Sequence, residues 1–163
     1  MKKVIVINGR GGAGKDTLCE LAAEKYRVRN VSSITPIKNI AAQVGWKGGK
    51  EDRDRKFLAD LKQLVTEYND YPNEYLLEQC REFMQSDEEL MFVHIREPQQ
   101  IAHFVGSADC GVLTLLIRRE GKEVFGNAAD DNVEQYNYDL IYRNDKRLEE
   151  AGEDFRRFLS ENL

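Results

Sequence analysis

Cysteine is scarce in this chain and scattered. The three residues, Cys19, Cys80 and Cys110, form no Cys-x-x-Cys pair and have no histidine at metal spacing. That excludes a disulfide framework and a structural zinc site, and it fits the reduced thiols of a cytosolic protein. Histidine is scarcer still, with two residues. His94 lies inside an apolar run and reads as a hydrogen-bonded core residue; His103 has no partner at metal spacing. No long basic block is present, and 24 basic against 29 acidic residues give a net charge of −5. A nucleic-acid polymer, which needs a clustered basic face, is therefore not an expected partner. No apolar run approaches the roughly 20 residues of a membrane span. Met1-Lys2-Lys3 followed by Val4-Ile5-Val6-Ile7 has too short an apolar core for a signal peptide, which needs about 7–15 residues. A soluble, cytoplasmic protein is the expectation. Repeats, low-complexity segments and dividing linkers are also missing, so the 163 residues are expected to form one domain.

What is present is concentrated near the start. The apolar run Val4–Ile7 leads into Gly9-Arg10-Gly11-Gly12-Ala13-Gly14-Lys15-Asp16-Thr17, and a helix-like run, Leu18 to Glu24, follows. Strand, glycine loop, lysine and helix are the parts of a P-loop. Glycines allow the backbone to curl so that successive N–H groups face phosphate oxygens. The helix adds the positive end of its dipole, and Lys15 adds a point charge. Gly9, Gly11, Gly12, Ala13, Gly14, Lys15, Asp16 and Thr17 are the expected phosphate contacts. Asp16 stands where a magnesium-binding Ser or Thr is usual, and Thr17 comes one place later. Cys19, early in the helix, reads as a small buried residue on its inner face.

Beyond the loop, apolar runs alternate with helical patterns. Strands are expected at Val4–Ile7, Arg27–Val31, Leu90–Ile95, Val112–Ile117 and Tyr138–Tyr142. The run Val4–Ile7 is continuous rather than alternating, as in a parallel strand covered on both faces. The three prolines, Pro36, Pro72 and Pro98, each stand where a helix can begin. A helix from Glu51 to about Tyr68 is expected to set Phe57, Leu58, Leu61, Leu64 and Val65 on one face. A closing helix over Leu148–Leu159 places Phe155, Phe158 and Leu159 inward. The alternation predicts a three-layer α/β fold, a central parallel five-stranded sheet with helices on both faces. Ligands of such sheets sit beyond the carboxyl ends of the strands. Arg96 directly follows one apolar run, and Arg118 and Arg119 follow another. Arginine's planar fork suits phosphate, so these three are the expected catalytic partners of Lys15.

The loop Gly9-x-x-Gly12-x-Gly14-Lys15-x-Thr17 resembles that of nucleoside monophosphate kinases. Its Gly-Lys-Asp variant is similar to the loops of phage-type deoxynucleoside monophosphate kinases and animal-type phosphomevalonate kinases. The resemblance continues through Ile95-Arg96-Glu97-Pro98, which looks like their acceptor-gripping segment. Arg118, Arg119 and Lys122 match the arginine-bearing lid, with Asp130 and Asp131 within it. Tyr138-Asp139 and Arg143-Asn144-Asp145 match the strand and loop beside the adenine. The resemblance implies a P-loop NTPase fold, with an acceptor-binding insertion over about 36–88 and a short lid over about 118–137. It also implies ATP and magnesium as cofactors and a small phosphorylated acceptor as partner, in a monomer or homodimer. Arg96 and Arg53 are the expected acceptor contacts. Many P-loop proteins end a strand with a magnesium-orienting aspartate. None ends the Leu90–Ile95 run here, which leaves Asp16, acting through water, or Glu97 for that duty. Two other readings stay open, a kinase for phosphomevalonate or a coenzyme A precursor, and a nucleotide-binding regulator. A GTP switch is disfavoured, because the guanine-reading Asn-Lys-x-Asp is absent.

Overall fold

The computed structural model describes residues 2–121 and 132–163. Five strands form one sheet: β1 Lys3–Gly9, β2 Val28–Ser32, β3 Leu90–His94, β4 Val112–Arg118 and β5 Leu140–Arg143. Their order across the sheet is β2-β3-β1-β4-β5, and every neighbouring pair is parallel. The runs expected to be strands form these strands, with ends shifted by one or two residues. The helices are α1 Lys15–Ala22, α2 Thr35–Gln43, α3 Asp52–Asn69, α4 Tyr71–Gln85, α5 Pro98–Ser107 and α6 Leu148–Asn162. Pro36, Pro72 and Pro98 occupy first-turn positions of α2, α4 and α5, where a missing N–H costs nothing.

The period-2 alternation of the strands divides the core into two layers. Ile5, Ile7, Leu90, Phe92, Leu115 and Ile117 face Leu18, Cys19 and Ala22 of α1 and Phe155 and Leu159 of α6. Val4, Val6, Val31, Met91 and Val93 face Leu76, Cys80 and Phe83 of α4 and Ile101 and Phe104 of α5. β1 is covered on both faces and flanked on both edges, so its loop leaves from the middle of the molecule.

Three helices lie between β2 and β3. The expected helix is α3, and none of its residues is buried. Phe57 is 37% exposed and Leu64 65%. The helix packs against α2 and α4 rather than against the sheet, so only part of its apolar stripe meets protein. The lid residues Lys122, Asp130 and Asp131 lie outside the described residues. Among the described residues, no helix is long and apolar enough to cross a membrane.

Candidate functional site

The carboxyl ends of β1, β3 and β4 converge on the glycine loop. Gly12 and Gly14 have φ of 82° and 83°, the left-handed region that glycine enters without a steric penalty. Gly14 caps α1, whose first residue is Lys15. A Cβ on Gly14 would fall 2.5 Å from Nδ2 of Asn144, and one on Gly9 would fall 2.8 Å from the carbonyl of Ile117. The loop is thus as close to its neighbours as a bare backbone allows. Asn144, at the end of β5, donates from Nδ2 to the carbonyl of Ala13 at 2.9 Å and braces the turn.

Asn8 ties the loop to the rest of the site. It is fully buried. Its Oδ1 accepts from the Gly9 amide at 2.9 Å, while Nδ2 donates to the Arg96 carbonyl at 3.0 Å and to the Tyr138 hydroxyl at 2.9 Å. A buried carboxamide satisfied at both ends fixes three segments relative to one another. Tyr138 passes the link on by donating to the Val133 carbonyl at 2.8 Å. Asp139 accepts from both the amide and the hydroxyl of Thr114 on β4, so it acts as a clamp between strands. Sequence reasoning missed Asn8. Its signal was a polar residue closing an apolar run directly before a glycine.

The expected arginines lie at the same edge in different settings. Arg96 follows β3 and is exposed. Arg118 ends β4, with Nε 2.9 Å and Nη2 2.5 Å from the two carboxylate oxygens of Glu134, a bidentate pair. Arg10 of the glycine loop lies 3.6 Å from the same carboxylate. The Arg118 guanidinium holds the Glu134 carboxyl below its usual range, against the opposing effect of burial. Arg119 lines a cavity of about 210 Å³ beside the loop, together with Gly14, Thr17, Leu21, Asn144 and Lys146. Arg53 is exposed in the first turn of α3. It lies nine residues before Lys62, about 13 Å along the helix. Lys62 itself reaches Glu97, beside Arg96, at 3.6 Å.

A second, smaller cavity of about 50 Å³ opens under the ends of β2 and β3. Ser33, Thr66, Asp70, Asn73, Ile95 and His103 are among the residues lining it. His103 Nε2 stands 2.7 Å from Asp70 Oδ2. Asp70 joins α3 to α4 with a φ of 58°, which an aspartate tolerates better than most side chains. Trp46 donates from its indole N–H to the Gly49 carbonyl at 3.3 Å, and Tyr68 is 84% exposed.

The residues at the loop also allow a test for magnesium. Among the described residues, no group of three or more His, Cys, Asp or Glu side chains is placed to ligate a metal directly. Asp16 projects from the first turn of α1 with 85% of its side chain exposed. Glu97 is held by Lys62. The donor set therefore fits an ion that keeps its waters and takes its other oxygens from phosphate, as magnesium does.

His94 ends β3 rather than lying within its core. Its Nε2 is 3.1 Å from Asn30 Oδ1 on β2, and its Nδ1 is 3.8 Å from Asp16 Oδ1. Burial, reinforced by the charge of Lys15, pushes its pKa down to about 4, while Asp16 pulls the other way. Burial similarly pushes the Cys19 thiol up to about 12, so the helix N-terminus does not make it reactive.

No family model matches this sequence, and no curated protein matches it. Solved structures do share its fold. Shikimate kinase from Aquifex aeolicus is 15% identical, with 98% of this chain and 97% of that chain covered and a TM-score of 0.52. A sugar kinase from Janibacter is 14% identical over 98% and 95%, with a TM-score of 0.52. The tunicamycin resistance protein of Deinococcus radiodurans is 10% identical over 98% and 96%, with a TM-score of 0.58. The architecture is the P-loop NTPase fold, in the form found in small-molecule kinases.

Proposed function

We propose that this protein is an ATP-dependent phosphotransferase acting on a small phosphorylated acceptor, most favourably a nucleoside or deoxynucleoside monophosphate. The observation that carries this reading is the Asn8 link. It joins the backbone of the phosphate cradle to the backbone that bears Arg96, so donor and acceptor groups are held at adjacent strand ends.

In this reading the amides of residues 9–17 and Lys15 hold the donor phosphates, and Thr17 contacts them from α1. Arg96 holds the acceptor, with Arg53 as a more distant contact. Arg118 and Arg119 neutralise charge on the group in transfer. Arg118 reaches phosphate by exchanging Glu134 for it. Magnesium, held through water by Asp16, supplies further charge neutralisation when bound. Positioning and charge carry such a reaction, and no strong general base is required.

A second reading has its own support. The cavity beside Ile95 presents Asp70, Asn73 and His103 amid mostly apolar surface, groups that can hydrogen-bond a small hydroxylated acceptor without a base. Shikimate kinase and a sugar kinase are among the structures that share the fold.

The test is ADP production from ATP and magnesium across nucleoside and deoxynucleoside monophosphates, phosphomevalonate, dephospho-coenzyme A and hydroxylated acids and sugars. Turnover with a monophosphate, lowered about 10²–10³-fold in Lys15→Ala, is the expected result. Turnover with a hydroxylated acid or sugar alone selects the second reading. ATP binding with no turnover of any acceptor sinks both.

A further inference from the structure

The outer side of α3 has an order of its own. Phe57, Leu64 and Tyr68 are exposed there, and Leu61 is half-buried among them. At about 100° per residue the four fall within about 60° of one another, in one stripe. Lys62, which reaches Glu97 at 3.6 Å, and Thr66, which lines the small cavity, lie about 130° and 170° round the helix from it. The stripe therefore faces away from the candidate site and is no part of an acceptor contact. Its spacings are four, three and four residues, so it reads the same from either end. An antiparallel copy of α3, with the two-fold axis between Lys62 and Gln63, sets Phe57 opposite Tyr68 and Leu61 opposite Leu64. Each apolar side chain of one stripe then meets one of the other, the self-complementarity that a two-fold interface requires. The polar flank has the matching asymmetry. Lys56, paired with Asp60, stands in the first half of the helix, and Glu67, bonded to Gln63, stands on the same flank in the second half. Antiparallel pairing brings Lys56 to Glu67 of the second copy, and the opposed helix dipoles agree with it. Parallel pairing sets Lys56 on Lys56 and Glu67 on Glu67.

We infer that a second copy of this chain docks on this face, through a two-fold antiparallel pairing of α3 centred between Lys62 and Gln63. The inference is independent of what the glycine loop binds. α3 has 18 residues and is about 27 Å long, while a stable interface takes about 800 Å² from each partner. One helix face falls short of that area, so the dimer is reversible and forms as concentration rises.

The experiment is analytical ultracentrifugation of the full chain over a concentration series reaching the high micromolar range, wild type against Leu64→Glu. The wild type is expected to show a monomer–dimer equilibrium. Leu64→Glu is expected to raise its dissociation constant at least about tenfold, with the unfolding midpoint unchanged at dilutions where both proteins are monomeric. Should Leu64→Glu not fold, Tyr68→Glu takes its place. Cross-linking reads the register. Phe57→Cys mixed with Tyr68→Cys is expected to form a disulfide-linked dimer under mild oxidation, reversed by dithiothreitol. Either variant alone is expected to cross-link no more than the wild type, because like positions stand about 16 Å apart along the paired helices. A wild type that stays monomeric throughout the series overturns the inference. So does a dimer that the substitution leaves intact, which places the interface elsewhere. A mixture that cross-links no better than its components overturns the antiparallel register, and cross-linking within each single variant marks parallel pairing instead.

Discussion

Glu134 sits against two arginines at the strand ends. Its carboxylate occupies both prongs of Arg118 and lies near Arg10. Its folded pKa is held below the unfolded value, chiefly by the Arg118 hydrogen bonds. The pair therefore stabilises the fold above the unfolded carboxylate pKa, and that contribution is lost as pH falls through the lower folded value. Both side chains are about a third exposed, so the contribution is less than about 1 kcal/mol. Glu134→Gln is expected to lower stability by that small amount at pH 7 and by nothing at strongly acidic pH, while ATP binds several-fold more tightly. Urea unfolding at the two pH values and a nucleotide titration check both effects. Glu134 could not be found from the sequence, because nothing local in a polar stretch marks the one residue that pairs with Arg118. Asn8 and Asn144 were hidden for a related reason, since their partners Arg96 and Ala13 lie 88 and 131 residues away. The turn at Gly12 and Gly14 was legible because what shapes it, glycines between a strand and a helix, is local in sequence.

Among elements, the glycine loop was the most readable, since spacing and backbone freedom are both written locally. Its tightness predicts the effect of Gly14→Ala. The φ of 83° and the 2.5 Å approach to Asn144 should together cost about 1–3 kcal/mol and dislodge the Asn144 brace. Loss of ATP binding, with a lower melting temperature by calorimetry, is the expected pair of results. The strands were legible because continuous apolar runs admit few other placements. The inward face of α3 was not, because a 3.6-residue period reports that an apolar stripe exists and not what covers it. Substitutions on two helices show the difference. Leu64→Ser on α3, where Leu64 is 65% exposed, should change stability by no more than about 0.5 kcal/mol. Phe83→Ala on α4, where the ring is fully buried, should cost about 3–5 kcal/mol. Denaturant midpoints at constant slope measure both.

At the scale of the whole molecule, the candidate site draws on β1, β3, β4 and the end of β5, so a nucleotide bound as proposed would join segments from both halves of the chain. Ligand that binds only the folded state stabilises it by about 2.7 kcal/mol at a hundredfold excess over Kd. For a domain near this size that corresponds to a rise in melting temperature of roughly 5–10 °C. The expected rise with magnesium ATP should shrink in Lys15→Ala, as thermal scans would show. The fold class was evident from alternating helices and strands, but the order β2-β3-β1-β4-β5 was not. Which strand pairs with which is decided by crossovers that leave no mark in any single segment.

That order carries a consequence for the chain as it is made. Lys3 pairs with Leu90, and Val4 with Val112. β1 therefore leaves the ribosome 87 residues before the nearer of its two neighbours, on the order of ten seconds at ordinary rates of synthesis. Throughout that interval Val4–Ile7 has no strand on either side, and the glycine loop has no floor. The segment that carries the glycine loop is made well before the strands that flank it and is among the last to acquire its shape. A nascent chain halted before residue 112 should hold the complete motif and bind no nucleotide.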